Sequence, residues 1–399
     1  MFRSQWVVWF LLSSTVLAGN GATKKNSPHL AWRYEFEKGY AARETACTAL
    51  PGGGSVMATL GNLPKSHFSV VVTRKDAEGK TIWTKQPLDR NYDAWHYPRG
   101  IAVGENGEIG IAGHAEVFND EDNSYLTGFL IRIDKNGDLM KDVIVDYDVA
   151  AFHAVSAFPG GGWVVAGQTG AQARARFAIV QRVGGGVRNW SYRASLSEGE
   201  SRSKAVSASV DSEFRTLCLI AGLRGDKKGW SPRVVRFGPR GKMLTNLRLD
   251  IDVGNPTQLL EGHDLFYVIG DGGRSKPPRA VCIDTKGRVK WGSGLTRAGD
   301  RARAPAATVG TDGNLVLAYL NATTKKVVVE QYNSFGGKLY EGTLDPTVIA
   351  EPVSLDQTKD GFFVLAGNVV RNHGVDGKSR APVMLKFFGP HMCPKKTKI

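Results

Sequence analysis

The stretch HLAWRYEF, residues 29–36, alternates in the manner of a half-buried strand, yet no partner strand lies beside it in the sequence. At the far end, PVMLKFFGPH (382–391) begins a hairpin and stops before the second strand. Each stretch supplies what the other lacks. Trp32 also matches Trp83, Trp190 and Trp291, which close three internal hairpins. The expectation is that 29–36 pairs with 382–388, making the first and last strands neighbours.

That hairpin recurs along the chain. It reads FSVVVTRKDAEGKTIW (68–83), GFLIRIDKNGDLM (128–140), FAIVQRVGGGVRNW (177–190), PRVVRFGPRGKML (232–244), PRAVCIDTKGRVKW (278–291) and VVVEQYNSFGGKLY (327–340). Glycine supplies the positive φ that such turns need. Ahead of each copy lies a second pattern, a short strand, a glycine turn and a strand ending near Ala-Gly, as in GIAVGENGEIGIAG (100–113) and AVSAFPGGGWVVAG (154–167). Each unit is thus four short strands, named a to d from inside outward.

Four-stranded units repeated every 40 to 50 residues or so resemble the β-propeller superfamily. The Asp-x-x-Gly turn followed by Trp is similar to repeats of bacterial quinoprotein-like propellers. This likeness covers structural hairpins and brings no catalytic motif. It implies an all-β, seven-bladed β-propeller with four-stranded blades, the ring closed when the N-terminal strand completes the last blade. An eight-bladed ring and a sandwich are the alternatives. Six copies plus one split copy account for nearly the whole mature chain, which favours seven.

Residues 1–18 read as a signal peptide: Arg3, the apolar run WVVWFLLSSTVLA, then small residues with Val16 and Ala18 at the −3 and −1 positions. The apolar part is shorter than the roughly 20 residues that span a bilayer. No later segment is apolar enough to span, and the leader ends without a lipid-anchor Cys. The expected product is exported, periplasmic or secreted, with one propeller domain over 29–391 and a basic tail, 392–399, carrying Lys395, Lys396 and Lys398.

Four cysteines in an exported chain permit disulfides. Cys218 and Cys282 lie in strand-like runs, where Cys behaves as a small hydrophobe. Cys47 falls in strand a of blade 1 and Cys393 just past strand c of blade 7. A bond there would close most of the chain into one loop, contributing about 4–5 kcal/mol in the chain-entropy picture. Two free thiols are the alternative.

Formal charge is +14 at pH 7 with a pI near 9.6. In a propeller the d-to-a and b-to-c connections share one face, the top; the short a-to-b and c-to-d turns share the bottom. The b-to-c loops concentrate cations, among them Arg174, Arg176, Lys227 and Lys228. EVFNDEDNSY in blade 2 is the acidic exception. A cationic face steers anionic partners and weakens with salt; a solubilising surface is the plain alternative. Aligned units place Arg99, His153, Lys204 and Pro305 at matching first positions of strand a, where it lines the channel, with Arg301 and Arg303 just ahead of Pro305. Glu44 and Glu351 approach the same rim. Cations around a concave mouth suit a carboxylate, phosphate or sulfate. Trp95, His96 and Tyr97 could stack on a sugar ring or pack over the channel.

DKNGD (134–138) resembles a calcium loop, but DAEGK and DTKGR fill the same turn without the ligand set, so a plain turn is expected. No His-Glu-x-x-His, Cys-x-x-Cys or Gly-x-Ser-x-Gly occurs. No metal and no cofactor are expected, and the adjacent cysteine pair of many quinone dehydrogenases is absent. The sequence holds no nucleic-acid motif. It supports a monomeric, non-catalytic binding or assembly module presenting its basic top face to an anionic protein surface or polyanionic glycan. The alternative is a hydrolase or lyase acting on an anionic glycan or phosphoester, with Arg99 and Arg303 as clamp and His153 as acid or base.

Overall fold

The computed structural model describes residues 28–36, 40–62, 68–88, 94–118, 124–140, 144–146, 148–170, 176–184, 189–225, 229–273, 276–299, 302–372 and 378–388. Its strands form seven four-stranded antiparallel sheets. Blades 1 to 6 run over 40–85, 94–146, 149–193, 200–248, 256–294 and 306–344, and blade 7 over 351–388 completed by His29–Glu35. Strand a of one blade touches strand a of the next around the ring, and strands b, c and d follow outward. The chain is a seven-bladed β-propeller. Among the described residues the one helical piece is a 3₁₀ turn at Thr296–Ala298, and no helix is long and apolar enough to cross a membrane.

The apolar core is divided among the blade interfaces. Seven clusters of buried side chains form, each drawn from two successive blades. Trp163 of blade 3 lies fully buried over Gly110 of blade 2, where an added Cβ would sit 2.5 Å from the indole. A blade removed from its neighbours would expose both faces, so the sheets stabilise one another by association.

The recurring hairpin motif has two jobs. Asp76, Asp134, Asp284 and Asn333 each accept backbone N–H groups of their own turns, which fixes the bend locally. The turn glycine then lies under the outer aromatic of the preceding blade. An added Cβ at Gly79 would come 2.5 Å from Trp32, and one at Gly336 would come 2.8 Å from Trp291. Both glycines also have positive φ, +86° and +82°. Trp32, Trp83 and Trp291 complete the joint by donating Nε1–H to Ala77, Lys135 and Ser334 carbonyls at 3.2, 3.1 and 3.0 Å. Asp134 of DKNGD is occupied by the amides of Asn136 and Asp138, as a plain turn requires.

Closure follows the same rules. His29–Glu35 runs antiparallel to Lys378–Phe388, with Trp32 opposite Lys386 and Glu35 opposite Val383. Lys386, 2% exposed, donates to the carbonyls of Gly53 (3.0 Å) and Ala77 (3.3 Å) in blade 1 and to Asp360 (2.9 Å) in its own blade. On the channel side, Ser354 Oγ donates to the Cys47 carbonyl at 3.1 Å, and Asp356 accepts from Thr48 Oγ1 and Ala49 N–H at 2.8 Å each. Cys47 is a buried free thiol whose Sγ faces the Ser354 and Val364 carbonyls, and burial pushes it up to about 12. Cys393, the leader and the basic tail lie outside the described residues. Cys218 and Cys282 are fully buried in strands, as small hydrophobes.

Candidate functional site

Strand a of blade 2 (Ala94–Val103) pairs Pro98 with Gly113 and Gly100 with Ala112, leaving Arg99 as an extra residue. Blade 3 repeats this one step round the ring, pairing Phe152 with Gly167 and Ala154 with Ala166 and leaving His153. Blades 5 and 7 carry the same irregularity at Thr257 and Val353. Such a bulge breaks the period-2 alternation and re-aims the side chain. Arg99 and His153 are therefore structural equivalents, as their alignment implies. Lys204 is regularly paired, opposite Ala221, because the two bulges of blade 4 fall on either side of it, at Ser201 and Val206. Pro305 is buried directly before Ala306, where strand a of blade 6 begins.

Arg99, His153 and Lys204 act on one another. Arg99 is exposed, and the other two are half-buried. Burial, then the charges of Lys204 and Arg99 and the nearby His114, push His153 down to about 3. Burial and then Arg99 push His114 down to about 4. Both imidazoles are thus neutral near pH 7. Burial draws Lys204 down to about 8, aided by Arg202 and Arg99 and opposed by Asp271. Its Nζ lies 4.8 Å from the Trp230 ring centre, with the Arg202 guanidinium 5.8 Å from the same ring. His153 Nε2 and His114 Nδ1 are buried without a hydrogen-bond partner among the described residues. A buried polar atom of this kind costs free energy until something bonds it.

The remaining predicted residues divide. Arg303 is exposed. Arg176 is half-buried, its carbonyl accepting from Ser203 N–H at 2.8 Å. Arg174, Lys227, Lys228 and Arg301 lie outside the described residues, as does the side chain of Glu44. Trp95 packs edge-on against Phe118 at 5.0 Å, His96 is buried against Phe129, and Tyr97 stacks on His114 at 4.7 Å. Across the mouth, Glu351 pairs with Arg380 at 2.7 Å. Other top cations are tied down locally: Lys276 to the Asp252 carboxylate, and Arg279 to its carbonyl at 2.8 Å. The sequence offered no sign of Trp230 or Asp271 beside Lys204. Trp230 begins strand c of the same blade and Asp271 follows strand b of the next, so folding of the sheet and packing of two adjacent blades bring them to Lys204. No group of three metal-ligating side chains occurs among the described residues.

No protein-family model matches the chain, and no curated protein matches it. Solved structures do. A Hadza microbial sialidase is 9% identical at a TM-score of 0.50, over 88% of this chain and 66% of that one. A protein of unknown function from Dyadobacter fermentans is 11% identical at 0.50, over 92% and 98%. A prolyl endopeptidase is 13% identical at 0.52, over 86% and 47%. The chain therefore spans just under two thirds of the sialidase and about half of the endopeptidase. At such identities the likeness is one of fold, and it places the protein among the β-propellers.

Proposed function

We propose that the protein is an exported, non-catalytic binding module that holds an anionic partner, an acidic protein surface or a polyanionic glycan, at the top of its channel. One observation carries this reading: Lys204, Arg99 and His114 all oppose a further positive charge on His153, while its buried Nε2 has no hydrogen-bond partner among the described residues. An oxyanion in the mouth would accept from that nitrogen and offset the mutual repulsion of Arg99 and Lys204. The b-to-c cations, including Arg174, Lys227 and Lys228, would widen the contact for a large partner.

Heparin and poly-L-glutamate serve as probes. Binding that weakens steeply with salt, and falls about tenfold or more in the Arg99→Ala, Lys204→Ala double variant, is expected. Equal affinity for wild type and double variant at low salt would remove the mouth from the reading. In the hydrolase or lyase alternative His153 would move the proton, yet a side chain held near 3 is a weak base at neutral pH. Equal turnover of an anionic glycan or phosphoester by wild type and His153→Ala would exclude that role.

A further inference from the structure

Strand c carries a long polar side chain at one repeated place near the bottom of six blades: Arg74, Arg132, Arg182, Arg236, Gln331 and Lys386. Each faces the second residue of strand b in its own sheet. In three blades it meets a polar or acidic group of its own a-to-b segment. Lys386 Nζ lies 2.9 Å from Asp360, Gln331 Nε2 3.1 Å from Asp312, and Arg132 Nη2 3.8 Å from Glu108. Blade 1 has Leu50-Pro51-Gly52-Gly53-Gly54 there and supplies no acid. Arg74 donates Nη1 to the Lys135 carbonyl, and its Nε is buried without a partner among the described residues.

The missing side chain leaves room. A groove of about 590 Å³ opens between the bottom turns of blades 1 and 2, with Arg74 in its wall. Leu50, Pro51 and Ile82 give it an apolar side, and Ile82 is 52% exposed. Asp76, Glu78, Glu105 and Lys135 also line it, and Glu105 keeps one carboxylate oxygen on the Gly160 N–H of blade 3 at 3.2 Å, leaving the other for a ligand. An added Cβ at Gly52 would meet nothing within 4 Å, so the gap at the turn is open. Blade 3 has a matching Phe158-Pro159-Gly160-Gly161-Gly162 turn, but there the Phe158 ring lies 3.6 Å from the Arg182 guanidinium and seals it at 1% exposure.

We propose that this groove binds a small zwitterion of the amino-acid class. Its carboxylate takes the place that Asp360 and Asp312 fill in their own blades, against Arg74. Its ammonium meets Glu78 and Glu105, and its apolar side chain lies along Pro51 and Ile82. The lining carries Asp76, Glu78 and Glu105 against Arg74, Lys75 and Lys135, so a ligand with both charges and no net charge matches it better than a plain anion. A planar guanidinium suits a carboxylate better than an ammonium would.

The test is binding of L-leucine, N-acetyl-L-leucine and L-leucinamide to the full protein, followed by amide chemical shifts. Leucine is expected to bind saturably in the millimolar range or below, and each blocked analogue about tenfold or more weaker. Leucine should shift the amides of Gly52–Gly54 and Glu105–Gly107. Arg74→Gln should abolish those shifts, and Arg74→Lys should weaken binding while keeping the remaining spectrum unchanged. The proposal is overturned by no saturation up to about 10 mM leucine, by shifts confined to other blades, or by equal binding of the acetylated form. Undiminished leucine binding in a folded Arg74→Gln variant would overturn it as well.

Discussion

Blade 7 and blade 3 place a buried cation at the same point of strand c, and they treat it oppositely. Lys386 finds three oxygen acceptors, two of them carbonyls of the next blade, and lies 4.6 Å from the Phe362 ring centre. Arg182 has Phe158 beside it, and its Nε, Nη1 and Nη2 have no hydrogen-bond partner among the described residues. The register is shared: Lys386 lies between Val364 and Trp32, Arg182 between Val164 and Trp190. What differs is the a-to-b turn, Thr-Lys-Asp-Gly-Phe in blade 7 and Phe-Pro-Gly-Gly-Gly in blade 3. The seam where no peptide bond carries the sheet onward has the full set of partners. An interior blade, held by chain continuity on both sides, tolerates a charge with a ring beside it and no hydrogen-bond acceptor among the described residues.

Removing the seam itself is the severest way to break this comparison. A chain beginning at residue 37 lacks strand d of blade 7 and the Trp32 contact to blade 1. It is expected to lose its single cooperative unfolding transition by calorimetry. A retained sharp transition at the wild-type temperature would show that the clasp is dispensable.

Acid should separate the two sides of the ring. His96, His114 and His153 are held below the ordinary 6.5, chiefly by burial, at about 4, 4 and 3. Their unfolded forms therefore bind protons more readily than the folded ones. The stability they allow is intact above pH 6.5 and declines as pH falls toward 4. At about 1.4 kcal/mol per pH unit, buried His96 alone accounts for on the order of 3 kcal/mol. Hydrogen exchange at pH 4 to 5 should show blades 2 and 3 opening ahead of blade 7, and uniform exchange would contradict this.

Lys386→Met strands Asp360 and two blade 1 carbonyls. It should cost about 2–3 kcal/mol in denaturant unfolding, less than a fully buried pair because the Asp360 side chain is 42% exposed. Arg182→Met should act in the opposite direction. It keeps a long side chain against Phe158 and removes a buried charge that has that ring but no hydrogen-bond partner among the described residues, so a gain of about 1 kcal/mol is expected. Two losses of equal size would mean that Arg182 has acceptors as good as those of Lys386.

The fold was legible because its strongest signals are local and repeated. Asp-x-x-Gly bends one turn, and the Trp of the preceding unit covers it, so Trp32 identified its own place. The matching positions of Arg99 and His153 were legible for the same reason. The bulge that re-aims them leaves only a faint mark in the sequence: Pro98, Pro256 and Pro352 stand directly before the extra residue in blades 2, 5 and 7. A residue without an N–H is at home beside such an irregularity. The polar residue at a fixed place in strand c was also visible, in TRKDAEG, IRIDKNG, VQRVGGG and LKFFGPH. Whether it is satisfied depends on oxygens far away in sequence, as between Lys386 and Gly53, and no local pattern encodes that.

The stacked rings of His29 and Phe388, 5.2 Å apart, carry one more consequence. His29 and Phe388, the two ends of the closing strand pair, lie side by side, so a short linker could join them without moving a blade. The molecule should then tolerate circular permutation, with new ends cut into a b-to-c loop. Where translation starts would become a free choice, separable from how the closed circle is held.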